Sequence, residues 1–274
     1  MTAIRLYRGR FGHFSFLNAA SDLVTHAHPE SHIIMWLDGE PGRIQVGTRS
    51  VSLGPDFAVG INSFEPHSHS FPGGEPGLFL ALYIEPDWAA DRFGLPVGAP
   101  IFRHPAVPLA PELRAMALGF FQQLAGGEER FDLTACEMER LIDRLVAASR
   151  AGRSSGLHQA ARHRHLDFRV RKAIALMRAN LAARMSLDEL ARAVGLSRPH
   201  FFSLFKRETR LTPNVYWNTL RMEEALRQLQ GSEESLTDLA CHLGFTTQGN
   251  FTRFFRDHAG VPPTLYREAA RVAA

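Results

Sequence analysis

Two groups of histidines near the N-terminal end are the side chains best suited to chemistry. His26, His28 and His32 have the spacing H-x-H-x3-H, and Pro66-His67-Ser68-His69 supplies a further pair. Residues two apart on a strand point to the same side, so His26 and His28 can converge, and His67 and His69 share one parity. Neutral imidazoles converging inside a fold are good ligands for zinc, nickel, iron or copper. They serve equally well as hydrogen-bonding groups for a small organic molecule, or bond backbone carbonyls and do no more than hold the fold. All three readings stay open from the residues themselves. The candidate set is His26, His28, His32 and His69, for a small molecule or a divalent transition metal, with the choice between His67 and His69 left open. An open coordination position on three or four histidines would also support metal-assisted catalysis. No convincing general acid or base accompanies them, and Glu30 lies within the motif on an undetermined side.

Short strands with turns between them must position these rings. His32 to Leu37 is an apolar run closed by the turn formers Asp38-Gly39-Glu40-Pro41-Gly42. Arg43 to Val46 and Val51 to Leu53 alternate, Phe57 to Ile61 is apolar again, and Leu78 to Ile84 ends the series before Glu85-Pro86. Met35, Trp36 and Phe57 are expected in the core. Strands this closely spaced predict an antiparallel sandwich or barrel. From Pro111 the period changes to that of helices, through Leu113, Met116, Ala117, Phe120, Phe121 and Leu124, then Met138, Leu141, Ile142, Leu145 and Val146. The glycine pair Gly126-Gly127 makes these two an αα-hairpin, whose stripes either pack on the barrel or form a dimer contact. Ser149 to Gly156 is small and polar, as a linker would be.

The C-terminal part contains a repeat. Ser186-LDELARAVGLS aligns with Ser235-LTDLACHLGFT, and Phe201-FSLFKRETRLTP with Phe251-TRFFRDHAGVPP, at offsets of about fifty residues. Each copy reads as helix, glycine turn, helix. Ser186 and Glu189 form a capping box, and Ser235 with Asp238 repeats it with a shorter acid. Gly195 and Gly244 occupy the turn, where positive φ suits glycine. This is the layout of a helix-turn-helix, whose second helix enters the major groove. Phe201, Leu204 and Phe205, matched by Phe251, Phe254 and Phe255, must be buried. That leaves Arg198, Pro199, Phe202 and Ser203 in one copy, and Gln248, Gly249, Thr252 and Arg253 in the other, for the DNA surface. Arg253 can grip a guanine edge bidentately and Gln248 an adenine edge, while Thr252 or Phe202 can touch a thymine methyl. Each is about equally suited to a phosphate contact or to solvent.

Leu187-DELARAVGLS, the Phe205-Lys206 pair and the run from Leu236 to Arg267 resemble the DNA-binding domain of the AraC/XylS family of transcription regulators. The resemblance covers roughly a hundred residues. It implies two helix-turn-helix units joined by a long helix from Pro213 to Leu229, capped by Thr212, that read successive major-groove segments on one face of the duplex. Arg210 departs from the pattern, standing where the family usually has the glycine seen at Gly260. The histidine-bearing segment resembles the cupin fold, with His32 where the first cupin motif usually has glutamate. Its second motif, from Leu53 to Asp56 and Pro66 to His69, lacks the usual glycine before its histidine.

Composition agrees with this division. Of 274 residues 45% are hydrophobic and 22% charged, an ordinary globular mixture. Residues 1–157 carry 13 basic and 17 acidic side chains, a net −4, whereas the remainder carries 18 and 11, a net +7. Basic charge gathered in one segment is the footprint of a nucleic-acid binder. Cys136 and Cys241 are too few and too far apart for a disulfide framework or a cysteine zinc site, and a base-deaminating enzyme is excluded by the lack of its H-x-E and P-C-x-x-C pattern. No run approaches a membrane span, and the N-terminal MTAIRLYRGRFGHF does not read as a secretory signal. The expectation is therefore an α+β protein of two domains: an antiparallel cupin-like β-barrel with an αα-hairpin over 1–150, a linker over 151–164, and an all-α domain with two helix-turn-helix units over 165–274. It is expected to be a cytoplasmic homodimer that binds double-stranded DNA and a small-molecule or metal effector, with RNA polymerase as partner if it activates. No cofactor is certain, a divalent transition metal in the barrel being the candidate. The alternative is a metal-dependent cupin enzyme joined to a DNA-binding module.

Overall fold

The computed structural model describes residues 2–125, 131–151, 166–182 and 185–272. The Gly126-Gly127 turn and all but the first residue of the expected linker lie outside them. The strands are β1 (Thr2–Gly9), β2 (Gly12–Ala19), β3 (Leu23–His26), β4 (Ser31–Gly39), β5 (Arg43–Val46), β6 (Arg49–Ser52), β7 (Phe57–Ile61), β8 (His67–Ser70), β9 (Gly77–Ile84) and β10 (Ala106–Pro108). Two antiparallel sheets result, a six-stranded one ordered β1-β2-β9-β4-β7-β10 and a four-stranded one ordered β3-β8-β5-β6. The helices α1 (Pro86–Phe93), α2 (Pro111–Ala125) and α3 (Phe131–Ala151) accompany them.

The larger sheet is covered on both faces, which explains why β4 reads as an unbroken apolar run. Ile33, Met35 and Leu37 point to α2 and α3 and join Leu113, Phe120, Met138 and Leu141 in one core. The intervening Ile34 packs with Ile44 and Val46 of the smaller sheet and with Phe71 just past β8. His32 shares the parity of Ile34, so strand geometry places its ring between the sheets. The stripes of α2 and α3 thus pack on the barrel within a single chain, and do not form a free dimer face. Phe57 is a correction: it begins β7 at 44% exposure rather than in the core. Met35 is fully buried, and Trp36 is half-buried with the Arg114 guanidinium 4.5 Å above its ring.

The C-terminal half consists of α4 (Phe168–Ala179), α5 (Leu187–Ala193), α6 (Arg198–Thr209), α7 (Pro213–Gly231), α8 (Leu236–His242), α9 (Gln248–Ala259) and α10 (Pro263–Val272). Two cores repeat each other. Leu190, Phe201, Leu204, Phe205 and Trp217 build the first, and Leu239, Phe251, Phe255 and Tyr266 the second. Phe254 is only partly buried and rests on Phe245 and His258, at 4.9 and 4.2 Å between ring centres. The capping box at Ser186 is complete, with Glu189 N donating to Ser186 Oγ at 3.2 Å and Ser186 N to Glu189 Oε2 at 2.7 Å. At Ser235 the shorter Asp238 bonds the cap hydroxyl at 2.6 Å instead. The connecting helix α7 starts from its Thr212 cap and runs two residues beyond the expected Leu229. Arg210 ends α6 in the left-handed region at φ 64°, where Gly260 ends α9 at φ 76°. A side chain with a Cβ meets steric strain there that glycine does not.

Candidate nucleic-acid interface and effector site

The second helix of each unit presents the expected DNA surface. Arg198, Pro199 and Ser203 on α6 are exposed, as are Gln248, Gly249 and Arg253 on α9, with Thr252 half-buried. The two surfaces differ in readiness. Arg198 is held by Asp188 at 3.0 Å and lies 5.5 Å from the centre of the Phe202 ring. Phe202 in turn sits half-buried, edge-on to Phe201. The first helix would therefore have to release an exposed ion pair, worth about 0–1 kcal/mol, before Arg198 reached a base. On α9, Gln248 accepts a hydrogen bond from Thr237 Oγ1 of α8 at 3.1 Å, which braces its amide at the helix start.

The histidines come together between the sheets. β3 pairs with β8 so that His26 stands opposite His67, and β4 brings His32 across from Tyr83 of β9. His28 lies just past the end of β3 rather than on it. Ring-centre separations are 4.2 Å for His26–His67, 4.4 Å for His28–His32, 4.7 Å for His32–His67 and 5.2 Å for His28–His67. His67, omitted from the expected set, is central to the cluster at 1% exposure. His69 shares its parity but stands farther out, 5.9 Å from His26 and 6.4 Å from Phe71. Parity alone could not separate these two; the cross-strand partner of each does.

Hydrogen bonding leaves these rings a free donor set. Nδ1 of His26 donates to Val24 O and Nδ1 of His67 to Glu65 O, both at 2.8 Å, which orients each Nε2 as the open nitrogen. His67 Nε2, His69 Nε2, His32 Nδ1 and both nitrogens of His28 are buried without a hydrogen-bond partner. Burial, with the neighbouring imidazoles adding to it, holds His26, His32 and His67 well below the ordinary imidazole range. The same cause lowers His69 to about 3 and His13 to about 4. At neutral pH these rings are uncharged and carry available lone pairs. Such a donor set fits a transition metal. His26, His28 and His67 bring one nitrogen each within 4.8 Å of one another, and so do His32, His67 and His69.

Residues that sequence reasoning did not reach complete the site. Glu30 turns inward, its Oε2 3.4 Å from His28 Nδ1, an ion-pair distance rather than a formed hydrogen bond. Burial alone would raise its carboxyl, but His28 and the local backbone amide outweigh that and hold it at about 2. Tyr83 lies 5.2 Å from His32 and stacks on His13 at 4.4 Å, its hydroxyl pushed up by burial. The site opens into a cleft between the barrel and the helical half. His26, His28 and Glu30 line its polar side, and Met222 and Leu226 of α7 with Val261 between α9 and α10 its apolar side. Across the same interface Thr219 Oγ1 of α7 donates to Ala27 O at 2.8 Å.

A histidine-lined cupin barrel docked on two helix-turn-helix units is the build of a DNA-binding regulator. The chain is 30% identical over 245 residues to the uncharacterized HTH-type transcriptional regulator YobQ of Bacillus subtilis, covering 89% of this chain and 88% of YobQ. It belongs to the AraC-type helix-turn-helix family of transcription regulators, with a cupin domain in its N-terminal half. The helix-turn-helix domain family matches residues 190–269 and the cupin domain family residues 14–83. HTH-type transcriptional regulator GbdR of Pseudomonas aeruginosa is 29% identical over 149 residues, 53% of this chain but 39% of GbdR. A variant of apo ToxT from Vibrio cholerae superposes over 96% of this chain and 99% of its own with a TM-score of 0.52 at 10% identity, a likeness of fold alone.

Proposed function

We propose that this transcription regulator is switched by an effector held at the barrel histidines, and that α6 and α9 read successive major-groove segments through the side chains named above. The observation that carries the reading is the set of buried imidazole nitrogens without hydrogen-bond partners, converging where the barrel meets the DNA-binding half. Leaving such groups unpaired costs about 1–3 kcal/mol each, so a bound metal or a hydrogen-bonding ligand gains by satisfying them. A divalent transition metal would be held by His67 with His26 and His28, or with His32 and His69. It would supply a Lewis-acidic centre able to gather a ligand's oxygen or nitrogen. Residues 1–150 form the effector unit in this reading and 165–274 the DNA-binding unit, with 151–164 joining them. The protein works as a cytoplasmic homodimer, contacting RNA polymerase where it activates. Among the described residues no helix is long and apolar enough to cross a membrane.

Elemental analysis of the native chain beside a His26→Ala/His28→Ala variant tests this. Near-stoichiometric metal that disappears in the variant assigns the metal form of the reading. No metal, after purification without chelators, removes that form and leaves the histidines as polar contacts for an organic effector. The alternative, a cupin enzyme joined to a DNA-binding module, finds Glu30 beside His28, but a carboxyl held at about 2 is a weak general base. Its signature would be turnover by the metal-loaded protein that His28→Ala abolishes.

A further inference from the structure

His258 belongs to the DNA-binding half but lies against the barrel site. It stands in the last turn of α9, five residues beyond Arg253, is 9% exposed, and lines the same cleft as His26. Its Nδ1 donates to Phe254 O at 2.7 Å, so Nε2 is the nitrogen left for a ligand. This is the arrangement seen at His26 and His67, where a backbone carbonyl takes one nitrogen and frees the other. The ring centre of His258 is 6.2 Å from that of His26, against 6.1 Å for His26–His28 and 5.9 Å for His26–His69. It is thus about as near to His26 as two of the barrel's own histidines are. Two imidazoles on one tetrahedral metal have ring centres about 5.3 Å apart, given metal–nitrogen distances of about 2.0–2.1 Å, so the His26–His258 pair would close by about 1 Å on sharing a metal.

The segment that carries the barrel ligands is also fastened to the helices. Between His26 and His28, the Ala27 side chain is buried in the core of the first helix-turn-helix unit, and its carbonyl accepts from Thr219. Phe64 N donates to His28 O at 2.9 Å while the Phe64 ring stacks on Tyr216 of α7 at 6.2 Å. His26 and His28 thus border the site while Ala27 between them is anchored in the DNA-binding half.

We propose that His258 is a ligand donated by the DNA-binding half to a divalent transition metal held by the barrel histidines, so that metal occupancy fastens the second readout helix to the barrel. The inference rests on the metal form of the function proposed above. Thr252 and Arg253 ride on the same helix as His258, so the readout surface loses its freedom to reposition when the metal binds. No relay through intervening residues is needed, because the helix that reads DNA is itself the wall of the site.

The exposed Cys136 on α3 and Cys241 on α8 provide one native labelling position in each half. Nitroxides on both, in the full chain, report the distance between halves by double electron–electron resonance, while a chromophoric chelator competing for Zn²⁺ reports affinity. Zn²⁺ is expected to narrow the distance distribution of the parent protein. His258→Ala, and His258→Gln as a variant that keeps a polar side chain in the helix, are expected to bind Zn²⁺ about 10–100-fold more weakly and to show no narrowing. If the parent binds no Zn²⁺, both the metal reading and this inference fall. If the parent binds it and either folded variant binds equally tightly with the same narrowing, the barrel site stands and the role of His258 is refuted.

Discussion

Acid should loosen the metal-free barrel well before it affects an ordinary domain. His13 and His69 are held by burial at about 4 and about 3, against 6.5 for an exposed imidazole. Between these folded values and 6.5 the unfolded chain binds protons that the folded one refuses, so stability falls as pH falls through that window and is level above it. At pH 5 each of the two histidines therefore costs about 2 kcal/mol relative to neutral pH, about 4 kcal/mol for the pair. His26, His32 and His67 are shifted the same way and steepen the fall. Against a typical total stability of about 5–15 kcal/mol, a loss of that size is decisive. The assay is urea unfolding at pH 7.5 and pH 5 in chelator, read by Trp36 and Trp88, which pack in the barrel half. A Trp217→Phe background silences the remaining tryptophan, which lies in the DNA-binding half. The parent should lose at least the pair's share of stability, and a His13→Gln/His69→Gln variant should lose about 4 kcal/mol less. Equal stability at the two pH values, or an equally steep fall in the variant, would refute the claim that these rings are buried uncharged.

Three further outcomes follow from the DNA-binding half. Arg253→Ala should weaken binding to a preferred site, obtained by selection from random DNA, by about 1–3 kcal/mol and relax specificity there; equal weakening on random DNA would make Arg253 a phosphate contact only. Phe255→Ala removes a fully buried ring from the second core and should cost about 3–5 kcal/mol in thermal or denaturant unfolding, whereas a loss under about 1 kcal/mol would contradict the packing. Arg210→Gly relieves a left-handed backbone and, after the entropy glycine adds to the unfolded chain, should stabilise by about 0.5–1 kcal/mol; a lower melting temperature would show that the arginine side chain matters more than its φ.

Helix boundaries were legible in the sequence because their signals are local. Ser186 with Glu189, Thr212 before Pro213, and Gly260 past α9 each act within one helical turn, and the structure shows the capping bonds and left-handed φ they imply. β1 and β2 were not read, since arginines and glycines interrupt their alternation and the elements they neighbour, β9 and α10, lie far along the chain. The H-x-H-x3-H spacing marked His26, His28 and His32 as candidates, but strand parity did not bring them together, since His28 lies past the end of β3 and His32 belongs to β4. Which of His67 and His69 stands at the centre depended on the register of β3 against β8. Glu30 sits in a loop with no parity to read. His258 lay hidden in the apolar face of a helix, and only docking of the two halves brings it beside His26, 232 positions earlier in the numbering. Local chemistry thus determined the two units and their candidate side chains. The wall they share was decided by tertiary packing, because it depends on contacts between residues that no short-range pattern links.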